Sequence, residues 1–147
     1  MLTVVAAVIE SAGKLLVCQR RRADTFGLLW EFPGGKTKPG ETHQKALQRE
    51  LLEELGVESS IGPELFRTRH QYPQMGEPIE PIFFAAYLDA GAIQNLAFEC
   101  LEWRLPSELS GLNFLPADHE LIEKLASGAI QIPHRTLPPP MRESLGK

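Results

Sequence analysis

Gly34-Gly-Lys-Thr-Lys-Pro-Gly-Glu-Thr-His-Gln-Lys-Ala-Leu-Gln-Arg-Glu-Leu-Leu-Glu-Glu-Leu-Gly-Val57 is the stretch on which the reading of this chain turns. It reads as a glycine-rich loop running into an amphipathic helix. Thr42 is placed to cap that helix and Gly56 to end it. At about 100° per residue, Glu50, Glu53 and Glu54 fall within an arc of roughly 100° on one face. Leu47, Leu51 and Leu55 form an adjacent apolar stripe suited to packing on a sheet. Like charges at i,i+4 cost a helix about 0.2–0.5 kcal/mol per pair, so a merely solvated face would alternate Lys with Glu. Three acids on one face point instead to a hard cation.

Outward from this stretch, the rest of the chain reads as strands. Thr3–Glu10 and Lys14–Gln19 are apolar, β-branched runs joined at Ser11-Ala12-Gly13, the pattern of a hairpin. Arg20 to Gly27 is polar and reads as a loop, and Leu28–Phe32 is a short apolar run ended by Pro33-Gly34-Gly35. Ser60 to Thr68 reads as a strand with a turn at Gly62-Pro63, continuing into Arg69–Tyr72. Pro73 to Pro81 reads as a loop, and Ile82–Leu88 is the strongest buried-strand signal. Cys100–Leu105 returns as another strand, Pro106–Leu109 opens a helical turn, and Leu115–Leu125 has helical periodicity. Strands flank the long helix and a second helix follows, which predicts an α/β sandwich: a mixed sheet with one helix on each face.

The chain has 147 residues, 43 % of them apolar and 23 % charged, as expected of one soluble domain. The organisation expected is a domain over residues 1–130 and a proline-rich tail over 131–147. The net charge is −4, and Arg20-Arg21-Arg22 is the only basic run, which gives no support to duplex binding. Cys18 and Cys100 fit no zinc or redox spacing and read as buried thiols of a reducing compartment. The apolar N-terminal run is too short to span a membrane and lacks a charged leader, so a cytoplasmic protein is expected. Neither a Gly-x-Gly-x-x-Gly fingerprint nor a Walker motif is present; Gly35-Lys36-Thr37 lacks the required preceding glycine.

Gly35, five residues, Glu41, seven residues, Arg49-Glu50-Leu51, one residue, Glu53-Glu54, one residue and Gly56-Val57 together resemble the Nudix box at every defined position. Trp30-Glu-Phe-Pro-Gly-Gly-Lys36 further resembles the MutT-like branch, which includes oxidised-nucleotide and CTP pyrophosphohydrolases. The resemblance implies a Nudix-type α/β/α sandwich and a nucleoside triphosphate hydrolysed to its monophosphate and pyrophosphate. It implies Mg²⁺, with Mn²⁺ an alternative, held by Glu50, Glu53, Glu54 and a carbonyl of Gly35 or Gly34. Glu50 or Glu53 would orient or deprotonate the attacking water, and Arg49 would hold Glu53 by a helical ion pair. Hard cations prefer carboxylate and water ligands, so chemistry and resemblance agree.

Relatives take a further metal-binding Glu five or six residues before the Trp of a later strand. Here those positions are Ala97 and Phe98, so Glu99, four before Trp103, is the candidate, against a solvated loop residue. By the same resemblance Arg20, with Gly34 and Lys36, would meet the phosphates, and Asp118 would meet the base edge. Asp118 is equally well placed as a helix N-cap. Phe26, Phe83, Trp103 and Phe114 suit a base or the core, with the core favoured. His70 and Tyr72 could reach the site, against the commoner role of a lone His as a surface or hydrogen-bonded core residue. The expected partner is a small nucleotide, bound by a monomer or homodimer. Rival readings are a Nudix hydrolase of nucleotide sugars or dinucleoside polyphosphates, a recognition module without catalysis, and an isomerase of diphosphates.

Overall fold

In the computed structural model, which describes residues 1–89 and 91–134, one long strand organises everything else. β1 (Leu2–Ser11) runs parallel to β6 (Ile79–Leu88) along one edge, from Leu2↔Ile79 to Ile9↔Ala86. Its other edge is divided. Val4–Ala6 pair antiparallel with β4 (Gly34–Lys36), while Glu10 and Ser11 turn back into β2 (Lys14–Gln19). β2 then pairs with β3 (Trp30–Glu31) and β7 (Cys100–Arg104), and β6 with β5 (Ser59–Arg67). Among the described residues this makes a mixed sheet of seven strands.

α1 (His43–Leu55) covers one face. Ala46, Leu47, Leu51 and Leu55 are buried there against Val5, Ala7, Ile9, Ile82 and Phe84. The Thr42 hydroxyl accepts from Lys45 N, and Gly56 ends the helix at φ 70°, as the sequence indicated. The opposite face carries α2 (His119–Ser127), whose Leu121, Ile122 and Leu125 pack with Val8, Val17, Trp30, Phe83 and Phe114. The alternation of side chains along β1 feeds both cores, odd residues to one and even residues to the other. The α/β/α sandwich is therefore the observed fold.

Several local expectations are corrected. Gly34–Lys36, read as loop, is a strand because its backbone pairs with β1, a property no side chain announces. Of Leu28–Phe32, only Trp30–Glu31 is strand. Gly62-Pro63 makes no turn; β5 runs on through register shifts between Ile61 and Phe66, the bulges absorbing the proline. β6 begins at Ile79, so Pro81 lies inside a strand, and Arg69–Tyr72 contributes only the bridge His70↔Ile79. The second helix starts late: Pro116–Asp118 is a 3₁₀ turn, and α2 opens at His119.

Ile130 and Ile132 pack on the second core, and the Tyr87 hydroxyl donates to Pro133 O at 2.7 Å. Most of the expected tail, residues 135–147, lies outside the described residues. Cys18 is fully buried and Cys100 half-buried, both free thiols. No helix among the described residues is long and apolar enough to cross a membrane.

Candidate active site

The glycine strand β4 and the helix acids meet at Gly34 and Gly35. Gly34 has φ 155°, and a Cβ there would lie 2.0 Å from Val5 O, so only glycine lets β4 lie this close to β1. A Cβ on Gly35 would lie 2.5–2.7 Å from the Glu50 carboxyl atoms. One helix acid thus rests on the loop backbone, and a second is bonded to it: Gly34 N donates to Glu54 Oε1 at 3.1 Å.

Arg49 braces this junction. Its guanidinium grips Glu41 bidentately at 2.7 and 3.0 Å, donates to Lys36 O at 3.1 Å, and reaches Glu50 at 2.9 Å and Glu53 at 3.4 Å. Glu41 in turn accepts from Lys38 N. The hydrogen bond from Arg49 holds the Glu41 carboxyl down to about 2, while Arg49 itself is pushed further up. The ion pair expected between Arg49 and Glu53 is present but is the longest of the set; the stronger grip is on Glu41.

Glu54 carries the strongest electrostatic signature among the helix acids. Burial, followed by the charges of Glu50, Glu31 and Glu53, pushes its carboxyl up to about 9, against the bond from Gly34 N. Burial also raises Glu50, with Arg49 opposing. Several carboxylates held together out of water are an excess of negative charge that a cation relieves. Oxygen-only donors beside a backbone loop suit a hard divalent ion. Among the described residues no three acids converge at ligating geometry, since Glu50 is turned to Arg49 and Glu53 is 55 % exposed. Glu99 is exposed just before β7, with its N–H donating to Gln19 O at 2.8 Å.

A cleft leads away from this junction. A cavity of about 210 Å³ is bounded by Arg20, Glu31, Gly34, Gly35, Lys36 and Met75. A smaller one of about 70 Å³ is bounded by Glu31, Tyr72, Phe83, Ala117 and Asp118. The two share Val4, Ala6, Glu31, Phe32, Ile79 and Leu115 as walls. Arg20, Gly34 and Lys36 are thus brought to one cavity and Asp118 to its neighbour, with common walls between them.

Two of these differ from expectation in detail. Arg20, just past the end of β2, reaches diagonally to β3 and donates to both carboxylate oxygens of Glu31, at 3.1 and 3.2 Å. Asp118 is not a capping side chain; it makes no cap bond, is 5 % exposed, and has its carboxyl pushed well up by burial and by Glu31. Phe83 and Phe114 are core, and Trp103 and Phe26 pack against apolar clusters. Glu31 is the residue that sequence reasoning passed over. Its signal was an acid inside an otherwise apolar run, Leu-Leu-Trp-Glu-Phe; it is bonded to Arg20, borders the same small cavity as Asp118, and its charge helps raise the Glu54 and Asp118 carboxyls.

Comparison with known proteins agrees with this architecture. A model of the NUDIX domain matches residues 1–134. The CTP pyrophosphohydrolase of Escherichia coli (strain K12) is 38 % identical over 123 residues, covering 84 % of this chain and 90 % of that protein. The putative 8-oxo-dGTP diphosphatase 2 of Mycobacterium tuberculosis (strain H37Rv) is 34 % identical over 123 residues, covering 84 % and 86 %. The solution structure of the E. coli ORF135 protein superposes with a TM-score of 0.70 at 37 % identity, covering 84 % of this chain and 86 % of that one. With the glycine loop, the braced acid helix and the sandwich that holds them, these matches make the chain a member of the Nudix pyrophosphohydrolase family.

Proposed function

We propose that the protein hydrolyses a nucleoside triphosphate, with an oxidised or modified base, to the monophosphate and pyrophosphate. The observation that carries this reading is a pair of adjoining cavities, one bordered by the cationic Arg20 and Lys36 and the other by the buried acid Asp118. At the loop end, Glu50, Glu53, Glu54 and the Gly35 carbonyl would hold Mg²⁺. When bound, such an ion neutralises the phosphate oxygens and makes phosphorus accessible to water.

The chain's own residues supply the rest. Lys36 and Arg20 border the cleft and offer positive charge to phosphate oxygens, Arg20 with its orientation set by Glu31. Glu53, the most exposed of the three helix acids, takes the proton of the attacking water. The water oxygen bonds to phosphorus, the anhydride P–O bond breaks, and pyrophosphate leaves. Arg49 keeps the acid helix and the loop at a fixed spacing through Glu41 and Lys36 O.

At the far end, Asp118 meets the base. Burial favours its neutral form, and a neutral carboxyl both donates and accepts. That suits a base edge presenting an amino group beside an acceptor, as in cytosine or an oxidised purine in the matching tautomer. The relatives named for CTP and for 8-oxo-dGTP support the same pair of substrate classes.

A panel of nucleotides assayed for pyrophosphate release with Mg²⁺, wild type against Glu53→Gln, tests the reading. Wild type is expected to turn over CTP analogues or 8-oxo-dGTP, and E53Q to lose on the order of 10²–10³-fold in kcat. Full activity in E53Q would sink the assignment of the acids.

A further inference from the structure

Asp118 is presented to its cavity by a turn, Pro116–Asp118, that has an open backbone donor. Asp118 N bonds Leu115 O and the His119 N–H bonds Pro116 O, while proline has no N–H; Ala117 N is left without an acceptor inside the turn. The acceptor comes from 45 residues away: Ala117 N donates to Tyr72 Oη at 3.0 Å, and the bond is buried. Asp118, next in the chain, makes no side-chain hydrogen bond among the described residues that would fix it otherwise. Tyr72 and Asp118 border the same small cavity.

Tyr72 is itself anchored on three sides. Two residues earlier, His70 exchanges both backbone bonds with Ile79 of β6, at 2.9 and 2.8 Å. Tyr72 O closes a turn by accepting from Met75 N and from the Gln71 side chain. Its ring lies between those of Phe26 and His70, with centroids 4.7 and 4.3 Å away. A side chain only 5 % exposed and so surrounded has little room to move, which holds its hydroxyl in place.

We propose that Tyr72 is a specificity-determining positioning residue, which fixes the Ala117–Asp118 turn so that Asp118 meets the base of the bound nucleotide. The proposal rests on the reading of the small cavity as the base site. Tyr72 contacts no reacting atom; it acts through Asp118. Removing the hydroxyl leaves the ring contacts in place and lets the turn drift, so the penalty falls on discrimination between bases rather than on chemistry at phosphorus.

The test is steady-state kinetics of wild type, Tyr72→Phe, Asp118→Asn and the double variant on CTP, dCTP, dGTP and 8-oxo-dGTP, with thermal unfolding of each. Y72F is expected to fold and to raise KM for the preferred nucleotide about five- to tenfold, with kcat within about twofold. The ratio of kcat/KM between best and worst base should shrink by a similar factor. In the double variant Y72F should add little to the loss from D118N, because both act at one contact. Equal losses for all four nucleotides would overturn the proposal, as would multiplicative losses in the double variant or an unchanged KM. If wild type turned over none of the four, the hydrolase reading would fail and this proposal with it.

Discussion

Adjacent glycines at the loop–helix junction do different jobs, and substitution separates them. Gly34→Ala sets a methyl 2.0 Å from Val5 O, a backbone atom that cannot yield without unzipping β4 from β1. The expected cost is about 3 kcal/mol or more, read as a large fall in the unfolding midpoint. Gly35→Ala meets the end of the Glu50 side chain instead, which can swing away. On the proposed mechanism that variant should melt close to wild type yet lose on the order of 10²-fold in kcat, because a carboxylate proposed to hold the metal has been moved. Glu54 yields a pH prediction. Its folded-state carboxyl is raised from an ordinary 4.5 to about 9, so the folded protein holds a proton that the unfolded chain has already released. Stability of protein kept in chelator should therefore fall as pH rises between those values and level off above them. Glu54→Gln should flatten that slope in urea titrations run at several pH values. Much at this scale was legible: Glu50, Glu53, Glu54 and Arg49 share a face by helical spacing alone. The Arg20–Glu31 pair was not, because it depends on which strands become neighbours. Nor was the burial of Asp118, since an acid before a helix has the same appearance as a cap.

Among the elements, the β1–β2 hairpin carries a local conflict. Its two turn residues, Ala12 and Gly13, have φ 52° and 81°, a geometry that glycine accepts and alanine resists. Ala12→Asn should stabilise the protein by about 0.5–1 kcal/mol, measured by chemical denaturation, with kinetics unchanged because the turn is remote from the cleft. The hairpin itself, the capped start of α1 and its glycine end could be read from sequence because each is decided by a few consecutive residues. β4 could not, being a strand by virtue of its partner. Pro63 and Pro81 misled for a related reason: proline excludes a strand only where its missing N–H would have been used, and a bulge or a sheet position can excuse it.

For the molecule as a whole, the carboxylates gathered beneath the loop oppose folding until something neutralises them. Millimolar Mg²⁺ should raise the unfolding temperature by mass action, worth about 2.7 kcal/mol at one hundred times the dissociation constant. Differential scanning calorimetry of wild type and Glu54→Gln would check this; an equal rise in both would mean that Mg²⁺ acts elsewhere. The sandwich was legible because helical and strand periodicities alternate along the chain, whereas the pairing order of the strands was not. That order has a temporal side. β1 lies in parallel with β6, some seventy residues further along. In a chain synthesised from its N-terminus at roughly 5–20 residues per second, β1 waits several seconds for that neighbour. Through that interval the apolar Val5–Ile9 has one edge open, and the nascent chain depends on the β4 and hairpin contacts, or on a chaperone, to keep it from pairing with another copy.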